Sequence, residues 1–100
     1  MIRQSYDLDA DALYIKVTGG KAARTVEIDT GTLVDLDAAG AVVGIEVISP
    51  QRSWPVEEIL ARFKMSTEDV AQLRAYFAGP AGTAQLKPPA HPATRVPVAV

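Results

Sequence analysis

Three aspartates at alternate positions, Asp7, Asp9 and Asp11, are the first residues in the chain whose types and spacing suggest chemistry. They match the first three ligand positions of an EF-hand calcium loop, which also needs a glycine at its sixth position and a bidentate glutamate at its twelfth. Those positions hold Ala12 and Thr18, so the sequence excludes an EF-hand. The aspartates remain candidates for a different cation site, although such a run more commonly forms a turn by bonding nearby backbone amides.

Four more carboxylates, Glu27, Asp29, Asp35 and Asp37, occur where apolar and polar residues alternate. We expect them on one exposed sheet face, where paired carboxylates can transfer protons or hold a hard cation. The alternative, which this pattern favours, is that they keep the face hydrated and discourage edge-to-edge pairing of sheets.

Nucleophilic catalysis has little support in the sequence. The only histidine, His91, lies in a proline-rich segment, whereas a Ser-His-Asp triad requires an imidazole held in place. The chain has no cysteine, which excludes disulfides, thiolate metal sites and cysteine nucleophiles. Gly19-Gly20 lacks the following Lys-Ser/Thr and helix of a phosphate-binding loop. We therefore predict no catalytic residue, no cofactor and no enzymatic activity.

The elements that position these side chains are centred on a predicted β-hairpin. Its arms, Leu33–Asp37 and Ala41–Ile48, flank a short loop that contains Gly40. The second arm has apolar residues on both faces, which indicates a central strand or a strand whose outer face meets a partner. Val42 and Ile48 are therefore predicted interface residues. Similar alternation predicts a five-stranded antiparallel β-meander, with strands at about residues 2–6, 12–17, 24–28, 32–37 and 42–48.

Two short helices are predicted after the sheet, at about residues 55–64 and 66–78. Pro55 suits a first helical position, and Ser66 suits a helix cap. We expect both helices to cover one face of the sheet, which gives an α+β fold. The apolar stripe of the first helix comprises Val56, Ile59, Leu60 and Phe63.

The helix pair also looks superficially like a helix-turn-helix. A recognition helix places its N-terminal residues against bases and phosphates. Here that end holds Glu68 and Asp69, which would repel phosphate, and Arg62, Lys64 and Arg74 are too few for a basic face. Direct binding of nucleic acid is therefore disfavoured.

A change of composition at Gly79 predicts a single domain over residues 1–78 and a Pro/Ala-rich tail over 79–100. Val96 and Val98 alternate within the tail, so we expect them to join a sheet edge or contact a partner. Trp54 is the last interface candidate: burial is the ordinary state of tryptophan, and an exposed Trp54 would mark an interface.

Composition narrows the class of protein. The chain has 100 residues and a net charge of −2, which gives no general attraction to nucleic acid or anionic lipid. It has no apolar run of the roughly 20 residues that cross a bilayer, and its first residues lack an apolar signal core. We therefore expect a soluble cytoplasmic protein.

The runs Tyr6–Ile15, Val34–Asp37 and Gly40–Val47 resemble, in residue type and spacing, the YuzE-like family of small bacterial proteins, which is classed as domain of unknown function 2283. The resemblance covers about residues 2–50 and implies a compact β-rich domain with a helix. The family has no established reaction, so the resemblance implies no catalytic residues. The second helix and the tail lie outside the matching motif.

The sequence thus leads to three hypotheses. The first is a non-enzymatic protein-association module, acting as a homo-oligomer or with another protein partner. The second is a nucleic-acid-linked regulator or antitoxin-like partner that uses the helix pair. The third is a metal-dependent enzyme that uses the aspartates.

Overall fold

The computed structural model describes residues 2–77 and 96–97, and within them the chain has an α+β fold. The predicted class, with five antiparallel strands and two helices, is confirmed, and each of these elements lies within two residues of its expected bounds. A short sixth strand adds to one edge of the sheet. The elements are β1 (Arg3–Asp7), β2 (Ala12–Lys16), β3 (Arg24–Asp29), β4 (Thr32–Leu36), β5 (Val42–Ile48), α1 (Val56–Arg62), α2 (Thr67–Phe77) and β6 (Val96–Pro97).

The strands are ordered β3-β4-β5-β2-β1-β6 across the sheet, and neighbours are antiparallel. β3, β4 and β5 follow one another as a meander, and β1 and β2 form a hairpin. β2 pairs with β5, with Leu13 opposite Val47, so the connection from β2 to β3 crosses to the far edge. β5 is therefore central, as the apolar residues on both its faces predicted.

One face of the sheet, here called the covered face, packs against both helices. Alternation places the large aliphatic residues of β2, β4 and β5 on this face, and α1 and α2 add Ile59 and Leu73. Trp54 and Phe77 close one end of the core, with ring centroids 5.4 Å apart. The buried core comprises Ile2, Tyr6, Leu13, Ile15, Val17, Val34, Leu36, Val42, Ile45, Val47, Trp54, Val56, Ile59, Leu73 and Phe77.

Two predicted interface residues belong to this core. The register between β4 and β5 shifts after Asp35, which pairs with Gly44, so that Leu36 pairs with Val42. This irregularity turns Val42 onto the covered face, where it is 1% exposed, so the expectation that it faces a partner is wrong. Trp54 is fully buried, so it presents no surface to a partner.

The start of α2 agrees with its sequence, and an ion pair joins the two helices. Ser66 Oγ accepts the Asp69 amide hydrogen at 3.1 Å, which confirms the predicted cap. Pro55 precedes the first turn of α1 instead of starting it. Arg74 of α2 donates from Nε and Nη2 to the Glu57 carboxylate of α1, at 3.0 and 2.9 Å. Neither helix is long and apolar enough to cross a membrane.

Candidate functional site on the open face of the sheet

The opposite face, here called the open face, has neither described helix against it and collects the polar side chains of the sheet. β5 carries Gly44, Glu46 and Ile48 on this face, with β2 and β4 on either side. The register places the following residues on it: Arg3, Ser5, Asp7, Ala12, Tyr14, Lys16, Thr25, Glu27, Leu33, Asp35, Gly44, Glu46 and Ile48.

Tyr14 is the central side chain of the open face because it crosses a whole strand. It starts on β2, passes over Gly44 of β5 and donates its hydroxyl hydrogen to Asp35 Oδ2 on β4 at 3.0 Å. Thr25 on β3 donates to the other carboxylate oxygen of Asp35 at 2.6 Å. These two hydrogen bonds therefore link β2, β4 and β3 and span four adjacent strands, since the Tyr14 side chain passes over β5.

Gly44 makes this crossing possible. A Cβ atom at position 44 would lie 1.9 Å from Tyr14 Oη and 2.5 Å from its Cζ, far inside van der Waals contact. Glycine is normally unfavourable inside a strand, because it adds backbone entropy to the unfolded chain and offers no side chain to pack. Here the Tyr14 ring occupies the space that a side chain at position 44 would fill.

Burial, the hydrogen bond to Asp35 and the charges of Asp35 and Glu46 together raise the pKa of Tyr14 to about 12, and burial is the largest of these causes. The phenol is therefore neutral at physiological pH and acts as a hydrogen-bond donor. It does not supply a phenolate that could act as a base or bind a metal ion. The electrostatics of the pair favour a fixed surface shape over proton transfer.

A shallow cleft of about 190 Å³ lies beside Tyr14. Its walls are Asp7, Ala10, Ala12, Tyr14 and Glu46. The carboxylates of Asp7 and Glu46 in its walls give it the chemistry to receive a small cationic group, such as the end of a lysine or arginine side chain. Asp7 Oδ1 also accepts the Ala10 amide hydrogen at 3.2 Å, which fixes the loop at the cleft wall.

The three aspartates proposed for a cation site do not converge. Asp7 lies at the cleft and Asp9 is exposed, whereas Asp11 bonds to the hydroxyl of Tyr6, whose ring is in the core. Among residues 2–77 and 96–97, no group of three His, Cys, Asp or Glu side chains could hold a metal ion. Asp7 accepts an amide hydrogen within its own turn, whereas the Asp11 carboxylate is bound by the side chains of Tyr6 and Gln51.

Asp11 connects the β1–β2 turn to the end of β5. Its backbone is left-handed, with φ of 49°, and its carbonyl oxygen accepts the Ser49 amide hydrogen at 2.7 Å. Gln51 Nε2 donates to its Oδ2 at 3.2 Å. The Tyr6 hydrogen bond lowers the pKa of Asp11, and Gln51 and Ser49 add to this against the opposing effect of burial.

The second set of carboxylates divides between three places. Glu27 and Asp35 lie on the open face, as predicted. Asp29 forms an ion pair with Arg52 at 3.4 Å, and Asp37 Oδ1 accepts the amide hydrogens of residues 39 and 41, both at 2.9 Å. Asp37 is therefore a turn residue and not part of a shared site.

Sequence reasoning missed Arg52, which fastens one end of the sheet. Its Nη2 donates to Thr32 Oγ1 at 2.7 Å and its Nε to the Ile48 carbonyl oxygen at 3.0 Å. Thr32 is fully buried, so Arg52 supplies the polar partner that a buried hydroxyl needs. A lone arginine in a loop gives no sequence signal for this role.

The interface candidates not yet placed, together with the only histidine, lie in different parts of the chain. Ile48 lies half-buried on the open face. Val96 belongs to β6, where it pairs with Tyr6 at the edge of the sheet. Val98 and His91 lie outside the described residues.

This chain is similar to one protein family and to one curated protein. The profile of a family described as "Protein of unknown function (DUF2283)" matches residues 3–49, which are the five strands of the meander and hairpin. An uncharacterized protein of Methanocaldococcus jannaschii, MJ0789, is 32% identical over 57 residues, which are 57% of this chain and 48% of that protein. The chain thus spans about half the length of this relative. No solved structure matches.

Proposed function

We propose that this chain is a non-enzymatic protein-association module that pairs with a second copy of itself through the open face. The observation that carries the proposal is the contrast between the two faces of one sheet. The covered face is buried under two helices, whereas the open face presents the half-buried apolar side chains Leu33, Tyr14 and Ile48 with no described element over them. A sheet with partly apolar residues on both faces is stabilised by a second layer on each.

The polar groups of the open face support association over catalysis. Both Asp35 oxygens accept hydrogen bonds from side chains of this same chain, and Tyr14 is held neutral. These groups therefore stiffen the surface instead of meeting at a point where a substrate would react. A rigid surface loses little side-chain entropy when a partner binds.

Charge complementarity argues that the occupant is a second copy. The register aligns Lys16 on β2 and Asp35 on β4 on either side of Gly44 in the central strand. A two-fold axis along β5 would place Lys16 opposite the partner's Asp35, and Tyr14 opposite the partner's Leu33. An interface about such an axis is self-complementary, because each contact occurs twice.

Sedimentation velocity over a range of concentrations tests the proposal, and Leu33→Lys is the decisive variant. Glu27 and Glu46 flank Leu33 in the register, so the fold accommodates a lysine there. We expect the wild type to dimerise and the variant to dissociate at least about tenfold more readily, which corresponds to about 1.4 kcal/mol. Tyr76→Lys introduces the same charge at an exposed position of α2 and should leave the dimer unchanged.

A second variant tests the orientation of the copies. The proposed axis brings Glu46 near the partner's Glu46, where like charges repel, so Glu46→Gln should strengthen the dimer. A wild type that stays monomeric at high concentration, or a Leu33→Lys chain that dimerises as well as the wild type, would contradict the proposal.

The nucleic-acid-linked alternative has no specific observation in its favour. Among the described helices, Arg74 is bound to Glu57, and the first turn of α2 contains Glu68 and Asp69. A salt-dependent gel shift of DNA by the folded chain would support that alternative over association.

A further inference from the structure

The two edges of the sheet differ in their capacity to receive another strand. β3 forms one edge and is protected: its pairing is irregular between Glu27 and Asp29, and Arg24 and Thr25 are exposed. Irregular pairing and charged side chains are the usual means by which proteins block strand addition. At the other side of the sheet, β1 is the last of the five long strands, and only the short β6 lies beyond it. β1 pairs with β2 without any register shift.

The β1 edge already holds an extended segment. Val96 and Pro97 pair with Tyr6 and Ser5 in antiparallel register, far from β1 in the sequence. Such pairing is strand addition, in which backbone hydrogen bonds provide the binding and are largely independent of side chains. β6 covers two of the five β1 residues, so the contact is short.

The chemistry of β6 makes the contact easy to exchange. Proline has no amide hydrogen, so Val96 is the only residue of this two-residue strand that can donate one. The chain between α2 and β6, about 18 residues, can extend to about 60 Å. Five strands are only roughly 20 Å wide, so β6 has enough chain to reach the β1 edge of a neighbouring copy.

We propose that the β1 edge is a docking site for an extended peptide segment, and that in solution it receives the Val96–Pro97 segment of a second copy by strand exchange. The two copies would then be cross-connected by their C-terminal segments. Exchange of an identical element between copies preserves every contact made within one copy, which makes it an economical route to a dimer. This site is separate from the open face, so either interface can exist without the other.

Disulfide trapping tests the exchange directly, because the native chain has no cysteine. Ser5 and Pro97 are opposite one another in register, and paired strands bring Cα atoms to about 4.5–5.5 Å, within the range that a disulfide spans. Full-length Ser5→Cys and Pro97→Cys chains, one carrying a size tag, are mixed and oxidised. We expect a covalent heterodimer, seen on a non-reducing gel.

Glu27→Cys on the β3 edge provides the matched control, since that residue is exposed and lies at the opposite edge. Mixing it with Pro97→Cys measures cross-linking by random collision, and we expect the Ser5→Cys mixture to exceed it at least about tenfold through the higher effective concentration. Adding Val96→Pro to the Pro97→Cys chain removes the Val96 amide hydrogen and should reduce the yield, whereas Val96→Ala should retain it.

The double variant Ser5→Cys/Pro97→Cys completes the test. If it closes a disulfide within one chain while the mixed single variants cross-link no more than the control, the segment occupies its own β1 edge and the exchange proposal is overturned. If neither pairing exceeds the control, the β1 edge does not receive this segment and the proposal is again overturned. Leu33→Lys, which tests the open face, should not alter the cross-link.

Discussion

Tyr6 and Tyr14 lie on neighbouring strands and point to opposite faces of the sheet, and each donates its hydroxyl hydrogen to an aspartate. Tyr6 is in the core, and its partner Asp11 is in the adjacent turn. Tyr14 is on the open face, and its partner Asp35 is two strands away. The hydrogen bond to Asp11 is the main cause that raises the pKa of Tyr6 to about 12, whereas burial is the main cause for Tyr14.

This difference separates support of the fold from shaping of a surface. The Tyr6–Asp11 pair ties a turn to the core, so its loss affects folding. The Tyr14–Asp35 pair lies above the backbone of β5 and fixes the form of the open face. Similar chemistry therefore has different consequences on the two sides of one sheet, and the variants below separate them.

Truncation of each tyrosine should give the largest contrast. Tyr6→Ala removes a ring that is 2% exposed and should lower the free energy of unfolding by about 3–5 kcal/mol, as for other large aromatic deletions. Tyr14→Ala removes a half-buried ring and should lower it by about 1 kcal/mol. Urea unfolding measures both values, and equal losses would show that the two faces contribute alike.

Gly44→Ala should have the next largest effect, because the new methyl group would overlap the Tyr14 hydroxyl. The ring must move and give up Asp35, and we expect a loss of about 1–3 kcal/mol. Combining it with Tyr14→Ala should recover most of that loss, since the space above position 44 is then empty. Additive losses in this double-mutant cycle would show that the contact is not what requires glycine.

The change of folding stability with pH should be the smallest of these effects. Both tyrosines have a folded pKa of about 12, above the ordinary value of 10.0, so their contribution to stability is complete below about pH 10 and is lost as pH rises toward 12. The pKa of Asp11 lies below its ordinary 3.8, so its contribution is present above that pH and is lost as pH falls through the folded value.

Phenylalanine variants assign these changes to residues. Tyr6→Phe should weaken both the alkaline and the acid dependence of stability, because it removes the hydrogen bond that lowers the pKa of Asp11. Tyr14→Phe should weaken the alkaline dependence alone. Thermal unfolding followed by circular dichroism from pH 2 to pH 12 measures the effect, and an unchanged acid limb in Tyr6→Phe would refute the assigned role of Asp11.

Much of the fold is encoded in local pattern, and the exceptions have physical causes. Alternation in segments such as Val34–Leu36 located the strands because one face of the sheet is buried. The outward direction assigned to Val42 was wrong, because a single irregularity between β4 and β5 reverses the side chains beyond it. The place of a residue in an alternating sequence cannot reveal such a shift, since the shift depends on how two strands pair.

The open-face site was less predictable than the fold. Glu27 and Asp35 were expected on an exposed face, but the link between Tyr14 and Asp35 depends on β2 and β5 being neighbours, which chain order conceals. Glycine inside a strand is a sign of a bulge or of a close approach by another part of the chain. At Gly44 the group that approaches is the ring of Tyr14, which the sequence does not identify.

The crossing between β2 and β3 has a consequence for the order in which this molecule is assembled on the ribosome. The β1–β2 hairpin is synthesised first, yet its neighbour in the sheet is β5, which emerges after two further strands. Until then the apolar side of the hairpin, including Leu13 and Ile15, has no sheet to join. Docking of the hairpin onto the β3–β5 meander requires closure of a long loop, so we expect that step to be the slowest in folding.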